Sequence, residues 1–172
     1  MVVDDNRHMR ALIKSLLHAL GIKRIADAAG APEAFKELKH FSADLIITDW
    51  HMEPLDGLDF VRLVRTADDS PNPYVPIIML TGHTEAHRVM EARDAGVNEF
   101  LSKPISARGL FSRMLKVIDD PRQFVRTKTY FGPDRRRRSD GPPKNMADRR
   151  AGDADDTGRN LGQDELDAIL NS

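Results

Sequence analysis

A chain of 172 residues, 40% hydrophobic and 31% charged, has room for one domain of ordinary size and a tail. It contains no cysteine, which excludes disulfides and thiolate metal sites and suits a reducing cytoplasm. The net charge of −1 conceals three blocks: residues 1–120 carry 15 Lys+Arg against 18 Asp+Glu, residues 121–150 carry 10 against 3, and residues 151–172 carry 1 against 6. Such blocks predict a folded body followed by a charged tail in two parts. No apolar run approaches ~18 residues and no secretory leader pattern is present, so the expectation is a soluble cytoplasmic protein without membrane insertion.

The first 120 residues alternate strand and helix signals. MVV is a strand stub. In NRHMRALIKSLLHALG, Met9, Leu12, Ile13, Leu16, Leu17 and Leu20 recur at helical spacing, with Gly21 as the stop. RIADAA reads as a short strand and APEAFKELKHF as a helix with Pro32 in its first turn. DLIITDW is a continuous apolar run ended by a carboxylate. GLDFVRLVRTA is a helix with Leu58, Val61, Leu63 and Val64 as its buried set, and DDSPNPY is a loop. VPIIMLTG is a second strongly apolar strand, EAHRVMEARDAG a helix, NEFLSKP a strand and SARGLFSRMLKVID a final amphipathic helix. Five βα units in ~120 residues predict an α/β fold with a parallel five-stranded sheet covered by helices on both faces.

In open sheets of this kind, ligands sit beyond the carboxyl ends of the strands. The residues there are Asp4 and Asp5 after the first strand, Asp49 after the third, Thr81 after the fourth and Lys103 after the fifth. Taken singly they are ordinary: a strand-end Asp caps a helix, Thr81 precedes a glycine in a turn, and Lys103-Pro104 makes a bend. Adjacent carboxylates repel and are costly to bury, so Asp4 and Asp5 either lie in water or face a cation. Three clustered carboxylates without Cys or paired His ligands are oxygen donors for a hard divalent cation, of which Mg²⁺ is the common intracellular choice. A cation beside Asp49 also attracts phosphate oxygens, which makes that carboxylate a candidate nucleophile toward a phosphoryl donor. Thr81 and Lys103 would be the further partners of the phosphoryl oxygens.

VVDDN, LIITDW, Asp56-Gly57, IIMLTG and FLSKPI stand in the order and at the spacing of a known family. The body resembles a response-regulator receiver domain of the chemotaxis type, single-domain but with an arginine-rich C-terminal tail. The resemblance implies a doubly wound, flavodoxin-like (βα)5 fold with strand order 2-1-3-4-5. It also implies phosphorylation by a partner histidine kinase or histidine phosphotransfer protein, and output through a downstream protein target. Carried over by position, Asp49 is the phosphoacceptor. Asp5, Asp49 and the backbone carbonyl of His51 are Mg²⁺ ligands, with Asp4 acting mainly through water. Thr81 and Lys103 contact the phosphoryl group, the Lys103-Pro104 bond is expected to be cis, and Phe100 matches an aromatic that turns inward as Thr81 moves. Phe100 reads equally as a core residue.

There are departures. Members of the family usually carry several residues before VVDD, so the first strand is short: either the recorded start is displaced or the fold loses some stability at its middle. Pro54 comes one place later than the common pattern. His51 and His83 stand two residues beyond Asp49 and Thr81, where they either alter the lifetime of an aspartyl phosphate or are exposed loop histidines.

Three segments are expected: a receiver over 1–120, a basic Gly/Pro/Arg-rich tail over 121–162 and a short amphipathic helix over 163–172. After Pro121 the periodicity fails, and the tail reads as mostly extended or disordered. Arg135, Arg136, Arg137 and Arg138 form a basic patch that is either a solvated charge block or a binder of nucleic acid, a dinucleotide or an acidic surface. Tyr130 and Phe131 either stack a base or dock on the body. In the last stretch Leu166, Ile169 and Leu170 recover helical spacing behind Asp164 and Glu165. That segment is similar to a flagellar-motor peptide bound by chemotaxis regulators, which raises a self-contact with the body beside an incidental helix. No DNA-binding module follows the body. A phosphohydrolase is disfavoured because such enzymes need a second acid-base carboxylate, and position 51 is His.

Overall fold

The computed structural model describes residues 1–82, 86–119, 122–127 and 130–134. Among the described residues, seven strands and five helices follow one another: β1 Val2–Val3, α1 Arg7–Ala19, β2 Asp27–Ala28, α2 Ala31–Glu37, β3 Ile46–Asp49, α3 Gly57–Thr66, β4 Ile77–Thr81, α4 Ala86–Ala95, β5 Glu99–Ser102, α5 Ala107–Asp119, β6 Phe124–Arg126 and β7 Phe131–Pro133. The first five strands form one sheet in the order β2-β1-β3-β4-β5, all pairs parallel. From β1 the chain moves first to one side of the sheet and then, with β3, to the other. The switch point lies between β1 and β3.

The apolar runs explain why both sheet faces are covered. Side chains alternate across a strand, so Val3, Ile46, Ile77, Met79 and Phe100 face α2, α3 and α4, whereas Val2, Ile47, Ile78, Leu80 and Leu101 face α1 and α5. Each such apolar side chain, fully buried, contributes ~1.5–3 kcal/mol. On α1, Ile13 and Leu17 enter the core and Leu12 stays 45% exposed, because a six-residue apolar set is wider than the stripe a two-layer contact can cover. On α3 the buried set is Leu58, Phe60, Val61 and Val64, with Leu63 only half-buried. Gly21, at φ +87°, ends α1 in the left-handed conformation that suits glycine.

Order does not stop at Pro121. β6 and β7 pair as an antiparallel hairpin. The pairing is a feature that the sequence pattern did not announce; residues 135–172 lie outside the described residues. The stabilising partners are remote in sequence: Tyr74 meets Phe124 and Phe131 edge-on, each at 5.2 Å between ring centroids. Tyr130 and Phe131 are thereby part of a docked hairpin, and the Tyr130 hydroxyl donates to the Pro133 carbonyl at 2.6 Å.

Beneath the hairpin lies Arg65 of α3, 2% exposed. Its guanidinium donates to the carbonyls of Gly96, Pro73 and Val75 and to the Asn98 side chain at 2.7–3.1 Å, and packs 5.0 Å from the Phe124 ring centroid. One cation thus ties α3, the approach to β4, the turn before β5 and the hairpin. A second cluster guides the chain toward it: Glu99 of β5, 2% exposed, pairs with Arg113 and Lys116 of α5 and with Arg122.

Replacing Arg65 with Met keeps the apolar stem but strands those carbonyls. Urea denaturation should show a loss of about 3 kcal/mol, and the hairpin should become the most protease-sensitive segment of residues 1–134. An unchanged midpoint would refute this role.

Candidate functional site

Parallel strands present all their carboxyl ends at one edge, and the register sets which residues meet there. Val3 pairs with Thr48, which brings the residues after them, Asp4 and Asp49, side by side at the switch point. Asp4 is fully buried, Asp49 is 6% exposed and Asp5 is exposed. One carboxylate oxygen from each of the three lies within 4.8 Å of the others.

Lys103 reaches this cluster from two strands away. Its backbone amide donates to the Thr81 carbonyl at 2.8 Å, and its Nζ lies 2.8 Å from Asp49 Oδ1 and 3.8 Å from Asp4 Oδ2. Thr81 is 1% exposed at the end of β4. The Lys103-Pro104 peptide is cis, and so is Glu53-Pro54. The Asp49 side chain also accepts the Trp50 amide at 2.8 Å. Gly57 opens α3 against the Asp49–Trp50 segment: its amide donates to the Trp50 carbonyl at 2.7 Å, and a Cβ there would overlap the Asp49 carbonyl oxygen.

The electrostatics identify what the cluster lacks. Burial pushes the Asp4 carboxyl above the usual carboxylate range, the Asn6 amide opposes this, and the neighbouring Asp49 charge reinforces it. Asp4 Oδ1 accepts the Asn6 amide at 2.8 Å, whereas the buried Oδ2 has no hydrogen-bond partner. A buried, unsatisfied carboxylate oxygen facing two more carboxylates fits a divalent cation and the oxygen-rich shell that Mg²⁺ prefers.

Two arginines that sequence reasoning missed complete the surroundings. Arg10 of α1 donates to the Asp4 carbonyl at 2.7 Å and to the Asp5 carbonyl at 3.3 Å, while its Nε meets Asp27 Oδ2 at 3.0 Å. Arg88 of α4 places Nη1 3.4 Å from His51 Nε2. Neither has a motif: Arg10 is signalled only by its position one turn into the helix that follows the acidic pair, and Arg88 by nothing local. Phe100 is fully buried, its ring centroid 6.3 Å from that of Trp50. His83, Arg135 to Arg138 and the segment 163–172 lie outside the described residues.

A family model described as the response regulator receiver domain matches residues 1–115. The chain belongs to this family. The chemotaxis protein CheY of Pseudomonas aeruginosa is 34% identical over 119 residues, covering 69% of this chain and 94% of that protein. CheY1 of Helicobacter pylori is 36% identical over 119 residues, with the same coverage of 69% and 94%. The crystal structure of Vibrio cholerae CheY4 aligns with a TM-score of 0.62 at 29% identity, covering 67% of this chain and 94% of that one. This receiver is therefore a phosphorylation-activated response regulator of a two-component system, a signalling switch rather than a conventional enzyme. Receivers bind Mg²⁺ at an acidic pocket, and Asp4, Asp5 and Asp49 form such a pocket here. Among the described residues, no helix is long and apolar enough to cross a membrane.

Asp27 links the rim to stability. Hydrogen bonding by Lys14, at 2.6 Å, and by Arg10 holds its carboxyl below the ordinary value of 3.8. A depressed carboxylate stabilises the fold above its unfolded value, and the contribution is lost as pH falls through the lower folded value. Asp27→Asn should cost about 1 kcal/mol at neutral pH, and its stability should fall less steeply than the wild type's below about pH 4. Parallel acid-unfolding curves would contradict the assignment.

Proposed function

We propose that Asp49 is the phosphoacceptor, with Asp5, Asp49 and the His51 carbonyl holding Mg²⁺ and Asp4 acting through an intervening water. Bound there, the ion neutralises carboxylate charge and binds phosphoryl oxygens. The observation that carries this reading is the Lys103 ammonium 2.8 Å from Asp49 Oδ1, inside a group of three strand-end carboxylates.

The chain's own residues divide the work. A carboxylate oxygen of Asp49 forms a bond to phosphorus as the bond to the donor's leaving atom breaks, and the leaving group takes that electron pair. Lys103 shifts its ion pair from the free carboxylate to the incoming phosphoryl oxygens, so its charge remains partnered throughout. The Thr81 hydroxyl supplies a further donor, and its movement is coupled to Phe100, the buried aromatic on the adjacent strand. Burial of Asp49 excludes most competing water. The donor is a cytoplasmic histidine kinase or histidine phosphotransfer protein, and the output is contact with a downstream protein through α5 and neighbouring surfaces. The arginine-rich tail and the terminal segment are appendages to this switch.

Incubation with Mg²⁺ and acetyl phosphate, followed by intact-mass measurement, should show one added phosphoryl group on the wild type and none on Asp49→Asn. Lys103→Ala should slow uptake by about 10²-fold or more. Equal labelling of Asp49→Asn and wild type would overturn the assignment.

A further inference from the structure

Arg10 of α1 grips the acidic pair by its backbone, a contact with no direct part in phosphoryl transfer to Asp49. Its Nη1 donates to the Asp4 carbonyl at 2.7 Å and to the Asp5 carbonyl at 3.3 Å. Successive residues of a strand alternate in direction, so one nitrogen holds both carbonyls only where the chain has turned out of the strand. Asp5 is that turn: β1 has ended, and the next residue, Asn6, caps α1 with its Oδ1 accepting the His8 amide at 2.9 Å. Asp5 is exposed, so packing does little to fix its carboxylate. The guanidinium is itself fixed. Its side chain is 16% exposed, its Nε meets Asp27 Oδ2 at 3.0 Å, and Lys14 holds the other Asp27 oxygen at 2.6 Å. Asp27 belongs to β2, which flanks β1 on the side opposite β3, the strand that carries Asp49.

We propose that Arg10 is a positioning residue for the divalent cation: by fixing the Asp4 and Asp5 carbonyls it keeps the Asp5 carboxylate within reach of those of Asp4 and Asp49. The inference rests on the reading of these three carboxylates as the Mg²⁺ site. Charge and positioning act in opposite directions here, which makes the role decidable. A guanidinium repels a nearby dication, weakly in this case because Asp27 offsets its charge. On charge alone, removing Arg10 would tighten Mg²⁺ binding. Without the grip, however, the exposed Asp5 turn samples other conformations, and ordering it on binding carries an entropic cost. Hydrogen bonds that orient ligand groups are worth about 10–100-fold in metal affinity. Positioning therefore outweighs the screened repulsion, and removing a cation beside the site weakens binding of a cation within it. Lys14 supplies the comparison, since its ammonium also pairs with Asp27 but contacts Oδ1 of that side chain rather than the Asp4–Asp5 backbone.

Calorimetric titration of the full chain with Mg²⁺ alone, without a phosphoryl donor, reads the effect. Arg10→Ala should bind Mg²⁺ about tenfold more weakly than the wild type, although it carries one cation fewer. Arg10→Lys, which still donates, should recover part or all of that loss. Lys14→Ala should bind at least as tightly as the wild type. Arg10→Ala and Lys14→Ala each remove a partner of Asp27, so a general loss of structure at that corner would move both affinities together. An Arg10→Ala affinity equal to or tighter than the wild type's would overturn the proposal. So would Arg10→Lys binding no better than Arg10→Ala, or a weakened Lys14→Ala. A wild type that takes up no Mg²⁺ is a separate outcome and would overturn the reading of the three carboxylates itself.

Discussion

Carboxylates held against one another are the constraint on which this molecule depends. Asp4 and Asp49 are placed together by the pairing of β1 with β3, and both are buried. Lys103 offsets part of the repulsion. Three carboxylates and one ammonium leave a formal charge of −2, and a hydrogen-bond-free oxygen on Asp4 points to where that charge is unbalanced. A divalent cation balances it.

The same helices that frame the site grip the hairpin at their other ends. α3 starts at Gly57, against the Asp49 backbone, and ends near Arg65, whose guanidinium lies under Phe124. α4 carries Arg88 beside His51 near its start, and the turn after it presents Gly96, whose carbonyl accepts from Arg65. A Cβ on Gly132 of the hairpin would come within 3.0 Å of Gly96 Cα, so the two segments are in close contact. The chain leading to Arg135 is therefore anchored on the two helices that border Asp49.

How much of this the sequence disclosed follows from how local each signal is. The βα alternation and the strand-end residues were legible because each is carried by a few consecutive side chains: DLIITDW shows both its apolar run and its terminal carboxylate. The hairpin was not, because Phe124 and Phe131 look isolated until Tyr74 and Arg65, remote in the chain, are brought beneath them. Arg65 defeats hydropathy altogether, being a buried cation satisfied by carbonyls that only the fold assembles. At the site, residue types and spacing gave Asp4, Asp5, Asp49, Thr81 and Lys103, while the orphan oxygen of Asp4 and the contacts of Arg10 and Arg88 depend on coordinates.

The central claim is that three carboxylates are assembled to share one divalent cation. Trp50, the chain's single tryptophan, is buried and donates its amide to Asp49, so its fluorescence is a reporter built into the site. Titration with Mg²⁺ should give a saturable change in the wild type, and Asp5→Asn should weaken the apparent affinity about tenfold or more. An Asp5→Asn titration that overlays the wild type would contradict the account.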